Sequence, residues 1–275
     1  MSIDKLPPLR EIIKEHSLVA NKKLGQNFLL DLNLTRKIAS LAGDLTGKNV
    51  IEIGPGPGGL TRALLSLGAN VLSIEADKRC EPILEQIKQV YPNNFNYIFA
   101  DALKQNYQEY ATKFNSKVKI IANLPYNIGT KLLINWIGTT NWPPFYESLT
   151  LMFQKEVAQR IVANIGEEHY GRLSIITQCR NEAKIVYNLP ARAFTPAPKV
   201  ESAVINIVPK TENIKCDIGK LGQVTKVAFN QRRKMLRQSL KPIGGKNILE
   251  QANINQELRA ENLTIDQYIK LATLI

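Results

Sequence analysis

Cysteine, histidine and tryptophan are scarce in this chain: three, two and two residues among 275. The cysteines at 80, 179 and 216 form no C-x-x-C pair. That spacing excludes a disulfide framework and a zinc knot, and it suits a reducing, cytoplasmic setting. His16 and His169 stand far apart and cannot build a histidine-based centre, so no metal is expected. No apolar run reaches the roughly 18 residues that would cross a bilayer. The opening MSIDKLPPLREIIKEH is charged where a secretory segment would be apolar, so neither export nor a membrane partner is expected. Internal repeats and low-complexity tracts are also missing.

Acidic residues are the minority sign. Twenty-four Asp and Glu oppose 36 Lys and Arg, leaving a formal charge of +12. An excess of this size favours a polyanionic partner, bound through release of its counterions.

Short apolar runs at 49–53, 70–74, 95–100 and 118–123 read as buried strands, separated by helix-like stretches at 59–68, 80–90 and 103–113. Strands alternating with helices at this spacing predict βαβ units and a parallel sheet, an α/β fold. The pattern continues with a helix at 130–138, a strand at 148–153 and a helix at 154–165. Runs at 183–189 and 202–209 then lie too close together for a helix between them, which predicts an antiparallel hairpin at the sheet edge. Beyond residue 210 strand signals cease. The segments LGQVTKVAFN, QRRKMLRQSL, KNILEQANI and TIDQYIKLATL read as amphipathic helices, giving a small all-helical C-terminal domain over 210–275.

IEIGPGPGGLT (51–61) carries Gly54, Gly56 and Gly59 after a strand and before a helix, the G-x-G-x-x-G spacing of a nucleotide loop. A pyrophosphate is held there by backbone N–H groups, and Pro55 and Pro57 each remove one. A nucleoside without phosphate suits such a loop better. S-adenosyl-L-methionine, an adenosine bearing an amino-acid tail on a sulfonium, is of that kind. Glu75 at the next strand end is placed for the ribose hydroxyls, and Asp101 at the one after for the adenine amino group. Either carboxylate alone would also serve as a turn or helix cap.

The following strand ends in NLPYN. An exocyclic adenine amine is a weak nucleophile because its lone pair is delocalised into the ring. Acceptors on its N–H bonds favour the tetrahedral, reactive form. The Asn123 side chain and the Leu124 carbonyl would be two such acceptors, with Pro125 setting the chain direction and Tyr126 stacking on a base taken out of its helix. No strong base is needed, since the methylated amine is acidic enough to give its proton to water. Arg232, Arg233, Lys234 and Arg237 in NQRRKMLRQSLK form a basic stretch over an expected helix of about three turns, with Met235, Leu236 and Leu240 as its buried stripe. In a chain of this charge they are placed as RNA backbone contacts. The aromatic cluster NWPPFYE (141–147) reads as a packed turn before a strand.

Taken together, these segments resemble the bacterial small-subunit ribosomal RNA adenine N6,N6-dimethyltransferases. The resemblance rests on KKLGQNFLLD (22–31), IEIGPGPGGLT (51–61), SIEAD (73–77), NLPYNI (123–128), LMFQKEVAQRI (151–161), YGRLS (170–174), AFTPAPKVESAV (193–204) and FNQRRKMLRQSL (229–240). It implies a Rossmann-like methyltransferase domain over 1–209, with an N-terminal flap in 1–45 that closes over the methionine end of the cofactor. It implies cofactor contacts at Asn27, Leu29, Gly54, Glu75, Asp101 and Asn123, with Gly56 in the same loop. A flipped adenine would lie between Tyr126 and Phe194, and Lys22 and Lys23 would face RNA. The expected reaction is dimethylation of two neighbouring adenosines near the 3′ end of small-subunit rRNA, on an assembling subunit, by a monomer.

Two other readings stay open. One is a large-subunit rRNA adenine methyltransferase of the macrolide-resistance type, which shares the catalytic motifs. The other is an assembly-checkpoint RNA-binding factor with methylation secondary. A nicotinamide-dependent dehydrogenase is opposed by Pro55, Pro57 and the want of a proton-transferring histidine.

Overall fold

A computed structural model describes residues 6–21, 24–139, 142–212 and 214–275. In chain order the elements are α1 (Leu9–Glu15), β1 (Phe28–Leu29), α2 (Leu32–Ser40), β2 (Asn49–Ile53), α3 (Gly59–Ser66), β3 (Asn70–Glu75), α4 (Glu81–Val90) and β4 (Phe95–Phe99). Then come α5 (Tyr107–Lys113), β5 (Val118–Asn123), α6 (Gly129–Ile137), β6 (Tyr146–Gln154), α7 (Lys155–Val162), α8 (Arg172–Gln178), β7 (Asn181–Leu189), β8 (Phe194–Thr195) and β9 (Ser202–Pro209). The last four are α9 (Ile218–Asn230), α10 (Leu236–Ser239), α11 (Lys246–Gln251) and α12 (Ile265–Thr273). No helix among the described residues is long and apolar enough to cross a membrane.

The chain divides into two compact units. One comprises 1–133, 145–158 and 184–208; the other comprises 134–144, 159–183 and 209–275.

The first unit is built on a seven-stranded sheet of order β4-β3-β2-β5-β6-β9-β7. The pairs from β4 through β6 are parallel and β6–β9 is antiparallel. Val50, Ile51, Ile53, Ile120 and Ile121 are at most 2% exposed, as expected of central strands covered on both faces. The chain runs outward from β2 through β3 to β4, then returns to place β5 on the other side of β2. That reversal opens a crevice at the carboxyl ends of β2 and β5, where open α/β sheets bind ligands. The start of α2 is set by a side-chain cap, Asp31, whose Oδ1 accepts the N–H groups of Asn33 and Leu34 at 2.8 and 3.2 Å.

Between β7, which forms one edge of the sheet, and its neighbour β9 the sequence suggests only a proline-rich loop. The structure adds β8, which pairs antiparallel with β1 (Phe28 opposite Thr195, Leu29 opposite Phe194). In the 141–147 cluster, Phe145 stacks on Tyr107 at 6.1 Å between centroids and meets Tyr146 edge-on at 5.4 Å. Both are buried, Phe145 in the bend before β6 and Tyr146 as the first residue of that strand.

The second unit is helical but larger than 210–275. Its core joins Leu221, Val224, Ala228, Leu236, Leu249 and Leu271 to Ala163, Tyr170, Ile175 and Cys179 from the 159–183 segment. Tyr170 donates its hydroxyl to the Leu263 carbonyl at 2.8 Å, and Tyr268 donates to that of Ala260 at 2.6 Å, so both phenols enter the core with partners.

The expected long helix over 231–240 is corrected. Residues 231–234 form a turn and only Leu236–Ser239 are α-helical. Met235 is extended (φ −61°, ψ 149°) and bridges to Arg259. The Leu236 and Arg237 N–H groups donate to the carbonyls of Leu258 and Gln256 at 2.7 and 3.1 Å. Backbone donors engaged across the unit cannot also continue a helix from the preceding turn. Leu236 and Leu240 are buried as the stripe required, but Met235 is 40% exposed.

Candidate active site

Within the first unit, the crevice between β2 and β5 deepens into a cavity of about 380 Å³. This is the size range of small-molecule sites. Its walls come from the ends of four neighbouring strands, from NLPYN, and from Leu24–Leu29.

The loop after β2 shapes the floor. Gly54 has φ +66°, a left-handed conformation that side chains avoid, and a Cβ built there meets no protein atom within 4 Å. The open space is cavity, so a ligand can approach the backbone directly. Gly56 has φ +53°, and a Cβ on it would press on the Phe28 ring at 3.1 Å. The loop N–H groups are already engaged. Gly54 donates to the Ile74 carbonyl at 2.9 Å, Gly58 to that of Pro55 at 2.9 Å, and Gly56 to Glu75 Oε2 at 3.0 Å. With Pro55 and Pro57 contributing none, these positions offer no donors to a pyrophosphate. The loop fits a nucleoside without phosphate.

Glu75 ends β3 and is only 5% exposed. Its Oε1 accepts the N–H groups of Ala76 and Asp77, each at 2.8 Å. Burial raises its pKa, while these backbone donors oppose the rise. Oε1 is filled by its two backbone donors, whereas Oε2, with the Gly56 N–H alone, keeps a lone pair for a ribose hydroxyl. Asp101, after β4, lines the same cavity from an exposed position. Its Oδ1 caps the next turn through the Leu103 N–H at 2.9 Å, so one residue closes a turn and faces the cavity.

Asn123 is oriented by its own amide. Its Nδ2 donates to the Asn27 carbonyl at 3.0 Å, which leaves Oδ1 as the acceptor. No described backbone N–H donates to the Leu124 carbonyl. The Pro125 carbonyl accepts from Ile128 at 3.2 Å and Gly129 at 2.9 Å, turning the chain into α6. Tyr126 is half-buried, and its hydroxyl and that of Ser202 lie 2.7 Å apart. Burial lifts the phenol pKa, so the ring is neutral.

Leu24–Leu29 cross the cavity and are tied down by residues that motif reading passed over. Gln26 Nε2 donates to Asp77 Oδ2 at 2.9 Å, Arg79 pairs with the same carboxylate at 2.6 Å, and Arg79 Nη1 donates to the Val19 carbonyl at 3.2 Å. The hydrogen bond from Arg79 is the leading reason the Asp77 pKa is lowered. Glu52 was also passed over. It is 1% exposed and lines the cavity, and its Oε2 accepts the hydroxyls of Thr61 at 2.7 Å and Ser73 at 2.8 Å. Burial pushes its pKa up to about 7, against the pull of those two hydroxyls. Asp77 stood within SIEAD and Glu52 within IEIGPGPGGLT, but nothing local marked either as structural.

The structure therefore brings Asn27, Leu29, Gly54, Gly56, Glu75, Asp101, Asn123, Leu124, Pro125 and Tyr126 around one cavity. Phe194 is not among its walls. It is 3% exposed and packed in the core of the first unit, in register with Leu29. Lys22 and Lys23 lie outside the described residues.

Arg232, Arg233, Lys234 and Arg237 belong to the second unit and are all exposed. Arg232 is bound to Glu261 at 2.6 Å and Arg237 lies 3.9 Å from Glu257. Arg233 and Lys234 make no ion pair with a described residue. No group of three or more His, Cys, Asp or Glu among the described residues is placed to hold a metal.

A profile described as ribosomal RNA adenine dimethylase matches residues 18–275. The chain is 60% identical over 275 residues to the ribosomal RNA small subunit methyltransferase A of Bartonella bacilliformis, covering 100% of both chains. It is 54% identical to the protein of that name from Allorhizobium ampelinum, covering 100% of this chain and 99% of the other. Among solved structures, a dimethyladenosine transferase from Plasmodium falciparum superposes with a TM-score of 0.74 at 26% identity, covering 88% of this chain and 94% of that one. The 23S rRNA methyltransferase ErmE superposes at 0.68 with 24% identity, covering 90% and 98%, a likeness of fold.

Proposed function

This chain belongs to the ribosomal RNA adenine dimethylase family, and from that membership we propose that it dimethylates N6 of two neighbouring adenosines near the 3′ end of small-subunit rRNA. The substrate is the subunit during its assembly, and the enzyme works as a cytoplasmic monomer. S-adenosylmethionine is its methyl donor; when bound it supplies an electrophilic methyl on a sulfonium that becomes neutral on transfer.

The remaining chemistry falls to the chain's own residues. Glu75 accepts from the ribose hydroxyls and Asp101 from the adenine amine of the donor. Asn27 and Leu29 close over its amino-acid end, while Gly54 and Gly56 let it lie against the backbone. For the target base, Asn123 Oδ1 and the Leu124 carbonyl accept from N6–H and draw the amine toward a tetrahedral geometry. Pro125 holds those two acceptors in a fixed relation and Tyr126 stacks on the ring. After transfer the cationic amine gives its proton to water, and the same geometry admits a second round.

The observation that carries this reading is the hydrogen bond from Asn123 Nδ2 to Asn27. It commits the amide nitrogen elsewhere and leaves an oxygen, the group an exocyclic amine requires. Asn123→Ala tests it. Methyl transfer should fall at least 100-fold with subunit binding retained, whereas retained transfer would exclude the assigned role. Loss of binding together with transfer would favour a structural role for the amide.

RNA is gripped in part by Arg233 and Lys234, which make no ion pair with a described residue; Arg232 and Arg237 contribute less because each has a carboxylate partner. Lys22 and Lys23 are assigned to RNA on the motif alone. The name borne by the relatives of 54–60% identity favours the small subunit over the large as the target.

A further inference from the structure

The Tyr126 hydroxyl is satisfied by a residue outside the NLPYN motif. Ser202 opens β9 and is fully buried, and its Oγ lies 2.7 Å from the phenol oxygen. Ser202 is itself fixed on two sides. It stands opposite Gln154 in the β6–β9 pairing. Just outside that pair, the Lys155 N–H donates to the Glu201 carbonyl at 2.9 Å and its Nζ reaches Glu201 Oε2 at 2.7 Å. The backbone end of Tyr126 is held by the turn in which the Pro125 carbonyl accepts from Ile128 and Gly129.

A phenol hydroxyl lies on the long axis of its ring. A bond there does not stop the ring spinning about that axis, but it fixes where the axis points and blocks a swing about χ1. The ring is thereby pinned at both ends, and its long axis is kept at a constant place on the cavity wall.

We propose that Ser202 is a positioning residue for the reaction: by anchoring Tyr126 it sets how long the target base stays stacked, and so whether a singly methylated adenosine goes on to the dimethylated product or leaves. The inference rests on the reading of Tyr126 as the stacking residue. It extends that reading to the product ratio. Between the two transfers the spent donor must be exchanged for a fresh one, and the base has to be held or recaptured meanwhile. A stack on a wandering ring is lost sooner, and the cost falls on the second transfer more than on the first. Loss of a buried hydroxyl pair typically weakens such a hold by roughly 3- to 10-fold.

The test is a methylation time course on small subunits lacking the modification, with enzyme limiting. N6-methyladenosine and N6,N6-dimethyladenosine are quantified separately, and kcat and KM are measured for each variant. Ser202→Ala and Tyr126→Phe should each raise the monomethyl-to-dimethyl ratio about 3- to 10-fold. The double variant should do no more than either single one, because both remove the same bond. Ser202→Thr, which keeps a hydroxyl, should restore the normal ratio.

A Ser202→Ala protein that merely misfolds would lose kcat without changing the ratio. Tyr126→Phe leaves β9 untouched and breaks the bond from the other side. A normal ratio in Tyr126→Phe overturns the inference. If Tyr126→Ala loses activity while Ser202→Ala and Tyr126→Phe keep the normal ratio, the stacking reading stands and the anchoring is wrong. If Tyr126→Ala methylates normally, the stacking reading itself fails.

Discussion

Replacing Glu52 with glutamine should alter the pH dependence of stability by an amount that follows from its surroundings. Glu52 is enclosed at the end of β2 with two hydroxyls on one oxygen, and the charged group acting on it is Glu75 on β3, also an acid. The basic residues that flank it in sequence are engaged elsewhere: Lys48 pairs with Glu147 at 3.1 Å, and Arg62 on α3 donates to the Leu6 and Pro7 carbonyls at 3.1 and 2.8 Å. Burial raises the Glu52 pKa from an ordinary 4.5 to about 7.

Below 4.5 both the folded and the unfolded chain hold the proton, and the group does not discriminate between them. From 4.5 to about 7 only the unfolded chain gives the proton up. Folding stability then falls by about 1.4 kcal/mol per pH unit and levels off above 7. Between pH 5 and pH 8 the wild-type protein should therefore lose about 2 to 3 kcal/mol through this group alone. Glutamine retains an oxygen for Thr61 and Ser73 but cannot ionise. Relative to wild type, Glu52→Gln should gain about 2 to 3 kcal/mol on going from pH 5 to pH 8. Urea unfolding at the two pH values measures this, with hydrogen exchange of the β2 amides isolating the unit that carries the sheet. Parallel pH dependence in the two proteins would refute the reasoning.

Three further outcomes are expected. Gly54→Val places a side chain in the open space above a backbone at φ +66°; calorimetric titration should show S-adenosylmethionine binding abolished, and affinity within threefold of wild type would mean the donor lies elsewhere. Phe194→Ala should cost about 3 to 5 kcal/mol in urea unfolding, while Phe194→Leu, a modest change of volume in a packed core, should keep the fold; a stable Leu variant with wild-type methyl transfer would make Phe194 a core residue alone, and a stable but inactive one would place it against the base. Reversing Arg233 or Lys234 to Glu should lower the salt dependence of subunit binding by about one unit of slope each, whereas an unchanged slope would remove them from the RNA interface.

The parallel strands are legible because each is a short run rich in β-branched, aromatic or other apolar residues, and the carboxyl ends of β2 to β5 border the cavity. That is why the local pattern puts Gly54, Glu75, Asp101 and Asn123 at one end of the sheet, where they line a single cavity. Strands β1 and β8 have two residues each, too few to show a period, and they pair residues more than 160 positions apart. The helix expected through QRRKMLRQSL has the right apolar spacing. Spacing does not reveal that residues 256–258 claim its backbone donors. The enlargement of the helical unit by 134–144 and 159–183 is likewise a matter of packing at a distance. Glu52 looked like an ordinary strand position because its partners lie 9 and 21 residues away. The bond that orients Asn123 spans 96 residues. Chemistry at strand ends is written locally, whereas the contacts that orient it are not.

The most direct test of the central claim is transfer of labelled methyl from S-adenosylmethionine to small ribosomal subunits lacking the modification, with large subunits in parallel. The account predicts label in N6,N6-dimethyladenosine, recovered from small-subunit rRNA at two neighbouring positions near its 3′ end. Label in large-subunit rRNA, or tight binding to small subunits without any transfer, would contradict it.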